Sequence, residues 1–342
     1  MLAVVVEKQS AERARVELLN LNLFDKSRYI ISKAGRVEIP VLSLPEKLGV
    51  NFTFVQQDKS VFKAHGLSFS EMKEYLKGVV GEKAELIKGG WEMIGDVFII
   101  SLPEELYAER EKIGRAMLDF HPRAKTVILR KRISEPLRKP EAQVIAGRKK
   151  TVIIHRENGV IFKLNPLKVM FSAGNFSERQ RMAYISSPEE RVLDMFSGIG
   201  QLCLPLAKYS SPEKVIAIEK RPETFQFLKE NIKLNKLENV EARPGDNLEV
   251  SPVNFADRVL MGYFFSPENY LKTALRALRN GRGMLHFHAL VKKPELKSYG
   301  DRVAELIRKE GYEAKVNYNR IIKSYAPMVW HAVYDIEVRS ER

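Results

Sequence analysis

The chain has 342 residues, with 57 Lys and Arg against 43 Asp and Glu, a formal net charge of +14 and one cysteine. That length points to two or three domains. The single cysteine excludes an internal disulfide and a cysteine-only metal site and suits a reducing cytosol. No apolar run approaches the roughly 20 residues a bilayer span needs, and MLAVVVEKQS reaches a charge too soon for a signal peptide. The basic surplus favours a polyanionic partner over a merely solvated surface.

Residues 1–60 form a small accessory α+β module with its linker. Ala3–Val6 is a short β run. Ser10 is placed to cap an amphipathic helix whose apolar side carries Ala11, Ala14, Leu18 and Leu19. Two β runs follow, Arg28–Ser32 and Arg36–Leu42, with Ala34-Gly35 at the turn, and 43–60 has the weak periodicity of a linker. Residues 61–185 make a second α+β region, with helices over 69–78 and 104–119 and strands near Val97–Ser101 and Thr126–Arg130. Thr151–His155 and Val160–Leu164 flank Asn158-Gly159, a strong hairpin signal. Basic residues crowd this region: Lys125, Arg130, Lys131, Arg132, Arg138, Lys139, Arg148, Lys149 and Lys150. Their spread over strands and loops favours a phosphate-contacting surface.

From 186 to 342 strands and helices alternate, with strands near 191–195, 214–219, 239–242, 256–262 and 283–288. Two last β runs, Glu313–Ile322 and Met328–Val338, have no helix between them and read as a terminal antiparallel hairpin. The fold class is therefore α/β: a Rossmann-like C-terminal domain behind two smaller α+β domains. Its most informative stretch is RVLDMFSGIG (191–200). An apolar strand ends in Asp194, and Gly198 and Gly200 lie in the turn before the helical LCLPLA. Such glycines let backbone approach a nucleotide. A second strand, Val215–Ile218, ends in Glu219, placed to accept both ribose hydroxyls. Cys203 stands where a dinucleotide fingerprint wants its third glycine, and no P-loop lysine follows. A single nucleoside such as S-adenosylmethionine (AdoMet) fits better than NAD or ATP.

The segments HRENGVIFKLNPLKVMFSAGNFSERQRMA (155–183), RVLDMFSGIGQLCLPLA (191–207), VIAIEKRPETFQFLKENIKLN (215–235), ADRVLMGY (256–263) and GMLHFHALV (283–291) together resemble a known family. It is that of the archaeal tRNA wybutosine-synthesis aminocarboxypropyltransferases, sisters of the tRNA guanine-N1 methyltransferases acting beside the anticodon. The resemblance covers about 150 to the C-terminus. Residues 1–60 more loosely resemble the tRNA-elbow module of the methyltransferase branch. It implies a class I AdoMet-dependent fold, AdoMet as group donor and no metal. The implied partner is tRNA, with tRNA(Phe) expected, modified at the nucleotide just 3′ of the anticodon in the cytoplasm.

The resemblance also implies cofactor contacts at Ser172, Arg179, Glu219, Asp246 and Asn247, beside the loop residues Asp194, Gly198 and Gly200. Arg179 would fork onto the methionine carboxylate. Asp246 would take the adenine amino group, although after Pro244-Gly245 it reads, taken alone, more readily as a turn former. Glu178 lies where the methyltransferase branch carries its proton acceptor, which makes it a candidate general base; a charged helix surface is the competing reading. Tyr263, with Phe264, is a candidate platform for a flipped-out base. His286 and His288 share one face of a strand and either line the base pocket or form a hydrogen-bonded pair. With no Asp, Glu or Cys at ligand spacing beside them, a metal is not expected.

Two sister chemistries remain open. The methyltransferase branch ends its fourth strand in an Asn-x-Pro element and tends to His-Tyr-Tyr on the fifth. This chain has Met261-Gly262-Tyr263-Phe264 and His286-Phe287-His288, which favours transfer of the 3-amino-3-carboxypropyl group to the tricyclic wyosine precursor. Methyl transfer to guanosine or its tricyclic derivative at the same position is the alternative. An inactive RNA-binding protein with a Rossmann core is a rival of another class, opposed by the intact loop with Glu219.

Overall fold

The computed structural model describes residues 2–340 except 26, 27, 29, 34, 57–67, 90, 122 and 135–138. Ala34, part of the linker expected over 43–60, and Arg138 lie outside the described residues, as do the side chains of Arg132 and Lys139. The chain divides into two compact units, 1–68 and 69–342.

The first unit is a sheet ordered β2-β3-β1-β4, built from β1 (Leu2–Glu7), β2 (Ile31–Lys33), β3 (Arg36–Pro40) and β4 (Thr53–Gln56). Helix α1 (Ala11–Asn20) buries Ala11, Ala14 and Leu18 in a core shared with Val4, Val37 and Ile39. Ser10 makes no side-chain cap: a 3-10 turn over Lys8–Ser10 runs straight into the helix and leaves Ser10 in helical geometry. Part of the expected linker is β4, paired antiparallel with β1. Its alternation is hard to read because an edge strand is covered on few sides.

The second unit opens with α2 (Phe69–Val80), β5 (Trp91–Ile94), β6 (Val97–Ile100), α3 (Arg110–Phe120), β7 (Thr126–Ser134) and β8 (Lys139–Gly147), the strands ordered β5-β6-β7-β8. Sequence periodicity missed β5 and β8. Next come the hairpin β9 (Ile153–Glu157) and β10 (Val160–Leu164) and helix α4 (Phe176–Met182). Asn158 and Gly159 turn the hairpin with φ of 48° and 73°, the primed turn their pairing predicts.

The seven-stranded sheet and its helices comprise β11 (Arg191–Asp194), α5 (Cys203–Tyr209), β12 (Lys214–Glu219), α6 (Pro222–Leu234), β13 (Val240–Pro244), α7 (Asn247–Val250), β14 (Arg258–Met261), α8 (Leu271–Ala277), β15 (Arg282–Lys292), α9 (Leu296–Lys309), β16 (Tyr312–Ala326) and β17 (Val329–Ser340). The strand order is β13-β12-β11-β14-β15-β17-β16. The first five are parallel, and β17 and β16 close the sheet antiparallel. Apolar strands such as Val215–Ile218 are buried on both faces, as a sheet covered by helices on each side requires.

The boundary expected at 185 does not divide the packing of the second unit. The β9–β10 hairpin packs on α5 and α6, and α4 packs on α5. Ile94, Val97 and Ile128 share one core with Phe162, Val192, Leu206 and Val215. Part of 69–152 therefore shares a core with the seven-stranded sheet, and residues 69–342 form one compact unit.

Candidate active site

A cavity of about 260 Å³ opens at the carboxyl ends of the parallel strands, where an open α/β sheet binds ligands. Strand order lays out its wall. Gly245, Asp246 and Asn247 follow β13; Glu219 and Thr224 follow β12; Phe196, Gly198 and Gln201 follow β11. Gly262, Tyr263 and Phe264 follow β14, His288 comes from β15, and Ser172 and Asn175 close the side.

Glu219 Oε2 accepts the Gly198 N–H at 3.1 Å and Oε1 the Arg221 N–H at 2.8 Å, so the second strand fixes the glycine loop. Burial pushes the Glu219 carboxyl upward. Gly200, with φ 93°, admits no other residue, because a Cβ there would lie 2.4 Å from Leu204 Cγ. Asp194 was expected to touch the cofactor; instead it is buried in the loop, and its Oδ1 accepts the Phe196 N–H at 3.1 Å. Asp194 and Gly200 shape the loop and do not line the cavity. Asp246 is both lining residue and turn former: Oδ1 accepts the Leu248 N–H at 3.0 Å, capping α7, and Oδ2 pairs with Lys220 at 2.6 Å.

Three buried polar atoms of lining residues have no partner: Thr224 Oγ1, Asn247 Oδ1 and His288 Nε2. Buried polar groups are seldom left unmatched. A nucleoside brings ribose hydroxyls and an amino group to such acceptors, so this wall fits one.

Two expected roles are changed by packing. Arg179 is 1% exposed and forks onto Glu157, Nε to Oε1 at 2.5 Å and Nη2 to Oε2 at 2.7 Å, while Nη1 donates to the Ser172 carbonyl at 2.7 Å. Its fork is taken up by Glu157, it organises the 172–175 turn, and it is not among the residues that line the cavity. Glu178 is fully buried and bound by Arg181 at 2.7 Å, away from the cavity lining. Arg181 also grips Asp335 at 2.6 Å, and Asp335 accepts from His286 at 2.6 Å. Arg258 donates to the other nitrogen of His286 at 2.7 Å and pairs with Glu190 at 2.7 Å. Because arginine only donates, His286 Nε2 accepts and Nδ1–H points to Asp335. His286 is thereby fixed as a neutral structural residue.

His288 faces the cavity and meets His331 through Nδ1 at 3.0 Å. Tyr263 stacks on Phe196, centroids 5.2 Å apart, with Tyr270 edge-on to both. Phe264 packs on His331 at 4.6 Å. Phe196 and Tyr263 lie nearly parallel while Tyr270 stands across them, and together with Phe264 they give the cavity an aromatic side. Gln201 and Thr224 escaped sequence reading, since an amide after a glycine loop and a threonine inside a helix carry no signal of their own. Gln201 ties Met170, Ser172 and Arg179 together. In the basic middle region Arg130 pairs with Glu92 at 3.0 Å and Lys131 lies over Tyr107, so local partners take up part of that charge.

Burial pushes the His288 pKa down to about 4, whereas an unfolded histidine titrates near ~6.5. Between those values the unfolded chain binds the extra proton, so acidification removes up to about 3 kcal/mol of stability through this residue. Asp194 acts oppositely. Burial raises it to about 6, so the folded form takes a proton first and gains stability as pH falls below that value. In melting curves taken at successive pH values, His288→Asn should show a smaller acid-side loss of Tm than the parent. Parallel pH profiles would contradict the buried neutral histidine.

Five parallel strands closed by an antiparallel hairpin, with acidic acceptors after the second and third strands at the mouth of the cavity, define a class I AdoMet-dependent transferase. Comparison with known proteins gives the family. A model described as the TRM5/TYW2 methyltransferase domain matches residues 153–317, the TYW2 N-terminal domain matches 72–151, and the tRNA methyltransferase 5 N-terminal domain matches 3–48. The tRNA(Phe) (4-demethylwyosine(37)-C(7)) aminocarboxypropyltransferase of Pyrococcus horikoshii is 40% identical over 259 residues, 75% of this chain and 92% of that one. The tRNA (guanine(37)-N(1))-methyltransferase Trm5b of Pyrococcus abyssi is 32% identical over 341 residues, 98% of this chain and 99% of that one. The crystal structure of Methanocaldococcus jannaschii TYW2 in complex with AdoMet matches with a TM-score of 0.60 and 36% identity, covering 73% of this chain and all of that one. The chain belongs to the TRM5/TYW2 family.

Proposed function

We propose that this protein transfers the 3-amino-3-carboxypropyl group of AdoMet to C7 of the tricyclic 4-demethylwyosine base at position 37 of tRNA(Phe). The observation that carries the reading is the wall after β14. Gly262, Tyr263 and Phe264 replace a hydrogen-bonding Asn-x-Pro element with a small residue and two aromatic rings, beside a cavity suited to a nucleoside. An aromatic side with one near-parallel ring pair, Phe196 and Tyr263, suits an extruded tricyclic base, which must leave its stack to react. The 40% identity to an aminocarboxypropyltransferase supports the same branch. The relatives named above modify tRNA, and on that ground we place the reaction in the cytoplasm.

Bound AdoMet supplies a sulfonium whose Cγ is electrophilic. Glu219, Asp246 and Asn247 hold the nucleoside end, and Tyr263 with Phe196 orients the base. The new bond joins the base carbon to Cγ, the Cγ–S electron pair stays with sulfur as 5′-methylthioadenosine, and the carbon loses its proton. His288, neutral and with Nε2 at the cavity, is the lining group placed to accept a hydrogen bond from the base or relay that proton toward His331. Glu178 is held by Arg181 and is not assigned that step.

Methyl transfer at the same nucleotide is the second reading. The full-length match to a guanine-N1 methyltransferase and the match of 3–48 to the methyltransferase N-terminal domain favour it. The two readings differ in which carbon of the sulfonium faces the base, and a misplacement of about 1 Å costs on the order of a hundredfold in rate. With tRNA bearing the tricyclic precursor, label on the methionine carboxyl should enter the tRNA and 5′-methylthioadenosine should be released. Methyl label in the tRNA with S-adenosylhomocysteine as by-product would overturn the first reading and leave the second.

A further inference from the structure

The aromatic residues around the cavity fall into two groups. Phe196, Tyr263, Phe264 and Tyr270 line it. Tyr325 lies outside the lining, edge-to-face with Phe264 at 5.6 Å and with Phe265 at 6.1 Å. Phe264 is 7% exposed, whereas Tyr325 remains 43% exposed in spite of both contacts. Local backbone places this outer group. Ser266 takes a left-handed conformation, φ 47°, and turns the chain back after Phe265. On β16, Ser324 pairs with Trp330 and Ala326 with Val329, so Tyr325 is the extra residue of a β-bulge, a device that re-aims a side chain. The rim beside it is cationic. Lys292 sits opposite Val329 next to the hairpin tip, Lys293 follows, and both are exposed. Neither 289–293 nor 318–331 contains an acidic residue.

We propose that Tyr325, backed by Phe264 and Phe265, is a stacking platform for a base flanking the target nucleotide, with Lys292 and Lys293 on the adjoining phosphates. This rests on the tRNA reading above. Extruding the target base uncovers one face of each neighbour, and an aromatic ring just outside the cavity can cover one of them. Continuity with the lining through Phe264 and a rim of one charge favour a nucleic-acid occupant over an apolar protein segment. Tyr325 would thus position the substrate without touching the reacting atoms.

The test is tRNA binding by variants, read beside calorimetry with AdoMet and with 5′-methylthioadenosine. Tyr325→Ala should bind tRNA about tenfold more weakly, the loss of one base–aromatic stack, while its affinity for both small ligands and its Tm match the parent. Tyr325→Phe should bind tRNA like the parent. Of two tRNAs abasic on the 5′ or the 3′ side of the target, one should bind the parent about tenfold more weakly, and on that one Tyr325→Ala should lose nothing further. Replacing Lys292 and Lys293 together with Ala should flatten the salt dependence of binding. Additive losses on both abasic tRNAs, parental binding by Tyr325→Ala, a Phe variant as weak as the Ala variant, or an unchanged salt slope would each overturn the proposal. Failure of the parent to modify intact tRNA would overturn the substrate reading itself.

Discussion

Asp335→Ala is expected to lower stability by about 3–5 kcal/mol, because it breaks a buried ionic network and strands its partners. Asp335 is 8% exposed and receives Arg181 through both oxygens, at 2.6 and 3.1 Å, together with His286 at 2.6 Å. Burial alone would raise its carboxyl, but His286 and Arg181 outweigh that and hold it well below the usual carboxylate range. Without it, Arg181 keeps Glu178 alone, and His286 holds a buried N–H with no acceptor. For a unit of this size about 2–4 °C of Tm accompanies each kcal/mol, so a fall of roughly 10 °C should appear in thermal melts. Asp335→Asn should fall less, since an amide oxygen still accepts one donor. The control is Glu213→Ala, which removes an exposed partner of Arg191 at 2.7 Å and should change stability by less than about 1 kcal/mol. A Tm for Asp335→Ala within about 2 °C of the parent would mean that the network relaxes or admits water, contrary to its packing.

Glu219→Ala should weaken AdoMet binding by at least about tenfold, since hydrogen bonds to a charged acceptor contribute roughly 1.5–3 kcal/mol each. The carboxylate already takes the Gly198 and Arg221 N–H groups, and its remaining lone pairs are placed to receive the ribose hydroxyls. Both effects run the same way: the variant loses ligand contacts and loosens the glycine loop that frames them. Because the ribose is common to both ligands, 5′-methylthioadenosine should weaken in step with AdoMet. The loosening is confined to one turn, so the melting temperature without ligand should fall only slightly. An unchanged AdoMet affinity would show that the second strand does not carry the ribose.

The features legible in the sequence are those governed by neighbours along the chain. The strand–loop–helix at 191–207, the acidic residue ending the next strand, the Asn158-Gly159 hairpin and the terminal antiparallel pair each rest on local φ/ψ preference or side-chain periodicity, and each takes its expected form. The features decided only in three dimensions are partnerships between distant residues. In FSERQR the charges read as a solvated helix surface, yet Glu178, Arg179 and Arg181 are all buried. Glu157 lies 22 residues before Arg179, and Asp335 lies 154 residues after Arg181. No local pattern distinguishes a charge facing water from one neutralised in a core, because the neutralising group arrives through topology. The same cause moved Glu178 and Arg179 out of the candidate site and brought Lys323 to Ser172 across 151 residues. The nucleoside end of the cavity is thus encoded in contiguous motifs, where backbone geometry does the recognising. The wall around Ser172 is completed by the last hairpin folding back onto the segment before and within α4, with Lys323 at Ser172 and Arg320 at Ser177.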